Sequence, residues 1–167
     1  MKKSKKSKIY VTLSAVFCAI CVIIMISVII TPQKAVQGDF TPPQFDSSAV
    51  SGEPSVPDNL GYISPYRNGM EFRASLCGNI IVNGETADVY FTNNRQNDVW
   101  LKLRITDENG NILAETGIIR PGEYVKSIQF TQKPENGQKI ICKIMAYEKE
   151  TYRSKGYFTI STTAKYE

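Results

Sequence analysis

Residues 99–116 read VWLKLRITDENGNILAET, and this stretch decides the fold class. Val99, Leu101, Leu103 and Ile105 alternate with Trp100, Lys102, Arg104 and Thr106. A period of two places alternate side chains on opposite faces of a strand, so one face is apolar and the other polar. Asp107 to Asn111 follows, with Asn109-Gly110 at its centre. Both positions of an Asn-Gly pair tolerate positive φ, as a tight hairpin requires. A second strand over 112–116 then folds back on the first.

The same pattern extends in both directions. Met70, Phe72, Ala74 and Leu76 alternate with Glu71, Arg73 and Ser75, and Ala87, Val89 and Phe91 alternate with Asp88, Tyr90 and Thr92. Asn83-Gly84, Pro121-Gly122 and Asn136-Gly137 supply turns. Further strands are expected at 79–82, 124–130, 139–147 and 157–164, with no amphipathic helix between them. This spacing predicts an all-β domain over 61–167, an immunoglobulin-like antiparallel β-sandwich, with a small barrel as the alternative.

Ahead of the strands the composition changes twice. Ile9 to Ile30 carries no charged residue, and Lys2, Lys3, Lys5, Lys6 and Lys8 precede it. As a helix, this stretch would rise about 33 Å against a hydrocarbon core of about 30 Å. The expectation is a basic cytoplasmic tail (1–8), then an uncleaved signal-anchor or transmembrane helix through the lipid bilayer (9–30). Short basic flanks stay inside, so the plasma-membrane topology would be single-pass, with an extracellular C-terminal domain. A cleaved signal peptide fits less well, because the apolar run is long and no Ala-x-Ala follows it. Cys18 and Cys21 follow Phe17 and Ile20, too bulky for a lipoprotein signal.

Residues 31–60 hold Pro32, Pro42, Pro43, Pro54 and Pro57 among serines, and read as a flexible, partly extended linker. Phe40-Thr41-Pro42-Pro43-Gln44-Phe45 is either a linear docking motif or a spacer with two incidental aromatics.

A further stretch runs from Thr116 through Gly117-Ile118-Ile119-Arg120-Pro121-Gly122-Glu123-Tyr124 to Ile128. Gly137 and Ala146-Tyr147-Glu148-Lys149-Glu150-Thr151 come later. With these pieces, residues 70–165 resemble small membrane-anchored secreted proteins of Gram-positive bacteria that carry an immunoglobulin-like domain. The resemblance implies a location and a fold, and carries over no activity and no site residue.

Several functions are disfavoured at once. The chain has no histidine, which removes the commonest general base and metal ligand. Five of the 20 basic residues crowd the N-terminus, leaving 15 against 16 acidic residues beyond residue 30. No charge excess is spread for nucleic acid. Beyond the apolar run, Gly-rich phosphate loops, Gly-x-Ser-x-Gly and Cys-x-x-Cys are missing. Glu148 and Glu150 read as a solvated loop. No enzyme activity, metal or cofactor is expected.

The candidate binding face is Tyr90, Trp100, Lys102 and Arg104, all on the outward phase. Aromatics beside cations are frequent anchors of binding surfaces, unless loops cover them. The expected function is a protein-binding or accessory module whose partner is an extracellular or membrane protein. The alternative is a module for cell-wall polymer, and a weaker one is an inhibitor of secreted proteases. Cys77 and Cys142 lie beyond the apolar segment, where a disulfide or two buried thiols are both open.

Overall fold

The computed structural model describes Tyr10 and residues 16–21, 41–65 and 71–166. The chain divides into two compact units, Met1–Thr41 and Pro42–Glu167. In the first, Tyr10 and residues 16–21 are helical. The expected span over 9–30, and with it the single-pass membrane placement, is corrected. Among the described residues no helix is long and apolar enough to cross a membrane. The rest of 9–30, the basic tail 1–8 and residues 31–40 lie outside the described residues.

The second unit is built almost wholly of strands: β1 (Val50–Ser51), β2 (Tyr62–Ile63), β3 (Ala74–Cys77), β4 (Ile80–Asn83), β5 (Thr86–Asn93), β6 (Val99–Thr106), β7 (Ile112–Glu115), β8 (Glu123–Gln129), β9 (Lys139–Glu148) and β10 (Ser154–Tyr166). A short 3-10 turn, Asp58–Leu60, precedes β2. The strands lie where alternation and turn chemistry put them. Asn109-Gly110 closes the β6–β7 hairpin, with Arg104 opposite Glu115 and Ile105 opposite Ala114.

The order is β1-β8-β5-β4-β10-β9-β6-β7, with β3 on β5 and β2 on β3. Two plain antiparallel sheets were expected; the strands instead form one continuous curled sheet. β10 makes the join. Its residues 154–163 run antiparallel to β9, and Ala164 to Tyr166 run parallel to β4. The curl brings the two halves face to face, and their inward side chains form one core. Phe91, Ile80, Leu76, Leu101, Leu103, Ile140 and Ile144 are all shut off from solvent. Burial of this apolar area is what drives the curl closed.

The second correction concerns residues 42–60. Their composition suits a linker, but they pack as part of the β unit. The segment runs across the seam between the two ends of the sheet. Phe45 bridges Ile118 beside β6 and β7, and Val50 and Ser51 pair with Tyr124 and Glu123 of β8. Asp46 fastens it. Its backbone N–H donates to Ile118 O at 2.9 Å, and its Oδ2 accepts from the Gly117 N–H at 2.7 Å. Proline does not oppose this, because a strap needs few ladder bonds of its own.

Gly117 is a glycine for lack of room. A Cβ there would lie 2.5 Å from the Asp46 nitrogen. Gly117→Ala is therefore expected to destabilise the unit by about 1–3 kcal/mol. It should also open residues 42–52 to protease, both measurable by urea melts and limited digestion. An unchanged midpoint and digestion pattern would contradict the close approach.

Candidate functional site

The four residues read as a binding face fall on two different surfaces. Tyr90 belongs to β5, on the outer side of the first half-sheet. It sits in a β-bulge, where the β5–β8 register shifts between Asp88 and Phe91, and its φ is 42°. It is 6% exposed, because Leu60 and Val56 of the strap pack over it together with Cys77, Ile81 and Tyr124. Tyr90 faces outward, as alternation says, and is covered.

Trp100 lies on the outer side of the second half-sheet and is partly covered. Phe45 meets it edge-on, with ring centroids 4.9 Å apart, and Tyr152 of the β9–β10 loop lies 5.1 Å away on a tilted plane. The Arg120 guanidinium caps Phe45 at 3.7 Å from the ring centroid. Cation–π and edge-to-face contacts each add stabilisation beyond area burial. The docking-motif reading of Phe45 gives way to an intramolecular role.

Lys102 and Arg104 share one carboxylate. Lys102 Nζ lies 2.9 Å from Glu115 Oε2, and Arg104 Nε donates to Glu115 Oε1. Burial alone would push the Glu115 carboxyl up. The hydrogen bonds and charges of Lys102 and Arg104 outweigh it and hold the carboxyl below its ordinary range. The triad is a structural ion-pair network in which one carboxylate holds both cations and offsets half of their charge.

The two thiols do not meet. Leu76 points into the main core, so Cys77, the next residue, points to the opposite side of β3, under the strap. Cys142 lies in the main core. Both are free and buried, so the disulfide is not formed. Burial pushes each thiol up to about 12, with the Asp88 charge adding to the effect at Cys77. Neither is a nucleophile at neutral pH. Among the described residues no group of three or more Cys, Asp or Glu is placed to hold a metal.

What stays open lies further along. β6, β9 and β10 align Lys102, Met145 and Tyr157 in one outer row, and Arg104, Lys143 and Thr159 in the next. Tyr157 is 62% exposed, and the Lys143 ammonium lies 4.1 Å from its ring centroid. Lys143 has no carboxylate partner among the described residues. The sequence carried this signal: with Cys142 facing inward, Lys143 and Met145 share the outward phase of Trp100. A separate polar cleft of about 740 Å³ lies between β1, β2, β3 and the Pro121-Gly122 turn. No local signal marks it, because one wall comes from the strap.

No family model matches the chain, and neither a curated protein nor a solved structure matches it.

Two measurements check this geometry. Trp100 is the sole tryptophan. Phe45→Ala should shift its emission to the red and cost about 1–2 kcal/mol; unchanged emission would mean that Phe45 does not cover it. Glu115 has a depressed folded pKa, so its contribution to stability is present above the ordinary carboxylate range and is lost as pH falls through the folded value. Glu115→Gln should lower stability at neutral pH and flatten that acid limb. An identical pH profile in both proteins would contradict the triad.

Proposed function

We propose that the β unit is a non-catalytic binding module that takes an extended segment of a protein partner along the outer edge of β10. The observation that carries this reading is the pairing of β10 itself. From Ser154 to Ser161 it bonds only to β9 among the described residues, and β4 joins it only from Ala164. An unpaired edge presents a row of N–H and C=O groups that a partner strand can satisfy.

The first part of that edge is blunted. The register shifts between Ser154 and Tyr157, Gly156 has φ +99°, and Lys155 stands beside it. Bulges and lysines are usual guards against unwanted pairing. The regular stretch Tyr157–Ser161 remains, about 17 Å long, enough for a short peptide. Tyr157, Met145 and Lys143 flank it. An exposed aromatic, a methionine and an ammonium without a carboxylate partner suit a segment with one apolar and one acidic side chain.

Three features support the non-catalytic part of the reading. The chain has no histidine. Both thiols of the β unit are held protonated by burial. Glu148, the better placed of the loop carboxylates, is held ionised by the Thr151 hydroxyl and by the Lys155 and Arg153 charges, which suits it poorly to general-acid work.

The test is photo-crosslinking in the cells that natively make the chain, with a crosslinking residue at position 157 and a control at 126 on the opposite half-sheet. The expected result is one discrete adduct from 157, weakened by Lys143→Glu and missing from 126. No adduct from 157 in a chain with unchanged melting temperature, or the same adduct from both positions, would overturn the reading.

A further inference from the structure

The polar cleft is independent of the β10 edge, and its construction points to a ligand. Its walls are fastened by backbone. The Gly52 N–H donates to Gly122 O at 2.8 Å, and the Gly122 N–H donates to Asn93 O at 2.9 Å. Asn93 is shut off from solvent. Its side-chain amide donates to Val99 O and Ile119 O, and its Oδ1 accepts from Asn97. The cleft is therefore preformed, and its volume of about 740 Å³ lies within the range of small-molecule sites.

The lining chemistry narrows the ligand class. Ser64 and Ser75 hold their hydroxyls 2.5 Å apart, and each keeps further lone pairs. Tyr62 donates its hydroxyl to Thr92 at 2.6 Å, which fixes its ring, and 37% of the residue stays exposed. A fixed, half-open tyrosine ring offers a flat apolar surface among hydroxyls. Arg95 and Glu53 are both exposed at the rim, and neither has an ion-pair partner among the described residues. One guanidinium and one carboxylate balance, so the lining of the cleft itself carries no net charge. An apolar ligand would displace water from the one hydroxyl hydrogen that the Ser64–Ser75 pair leaves over and from the remaining serine lone pairs, which is costly. A pyranose ring matches both parts, with C–H groups for the tyrosine face and hydroxyls for Ser64, Ser75, Glu53 and Arg95.

We propose that this cleft binds a short neutral oligosaccharide. The test uses the full chain and saturation-transfer difference NMR, with maltotriose, cellotriose and chitotriose each at millimolar concentration, and polygalacturonate as the anionic control. At least one neutral trisaccharide should receive saturation at its ring protons. The Glu53→Gln/Arg95→Ala double variant, altered only at exposed side chains, should keep its melting temperature and weaken that binding about tenfold or more. Tyr157→Ala should leave it intact, which separates this site from the β10 edge. No transfer to any of the three sugars, transfer undiminished in the double variant, or transfer to polygalacturonate alone would overturn the proposal.

Discussion

Two large aromatic rings that alternation turns away from the core have to be covered, and one segment covers both. Tyr90 and Trp100 lie on the outer sides of opposite half-sheets. Residues 42–60 run across the seam between them, with Phe45 against Trp100 and Val56 and Leu60 over Tyr90. The strap lies across the closure of the curled sheet: β1, part of the strap, pairs with β8, and Phe45 bridges Ile118 beside β6 and β7, while Ala114 of β7 bridges Phe130 directly. Asp46 fixes the crossing through Gly117 and Ile118, and Gly52 fixes its far end through Gly122.

The strap also decides what is left for function. It occupies the aromatics that would otherwise form a platform, and Glu115 occupies the two cations beside them. What remains is the far edge of β10 with Tyr157 and Lys143. The cleft exists because the strap passes over β3 and β5 at a distance and builds a wall from Gly52 to Pro54. Asn93 ties these regions together. One buried side chain reaches the start of β6 and the turn before β8, and its own carbonyl holds Gly122. A buried amide with all its groups satisfied gives rigidity to the loops that hang on it.

The strands were legible because their signals are local. Period two over 99–106, with Asn109-Gly110 after it, fixes a hairpin whose centre also sets Arg104 opposite Glu115. The fate of the two cations could have been read from that register alone. The boundary at residue 61 was not legible. The strap contains prolines and serines, and its decisive bond joins Asp46 to Gly117, 71 residues away. Composition describes what a segment lacks for a core of its own, and says nothing of a surface that another segment provides. Cys77 shows the same limit. Its neighbour Leu76 was placed inward correctly, and adjacent residues face opposite ways, so the sheet itself separates Cys77 from Cys142. The long apolar run at 9–30 was read from hydropathy, whereas among the described residues no helix is long and apolar enough to cross a membrane.

The central claim is that the strap closes one side of the curled sheet and leaves β10 open on the other. Residue-resolved amide hydrogen exchange on the full chain tests both halves together. In an antiparallel pair, alternate amides of a strand point toward the neighbour and away from it. Within Tyr157–Ser161, protected and fast-exchanging amides should therefore alternate. The Asp46 and Gly52 amides, bonded to Ile118 O and Gly122 O, should be protected like those of the central strands. Uniform protection across Tyr157–Ser161, or fast exchange at Asp46 and Gly52, would contradict the account.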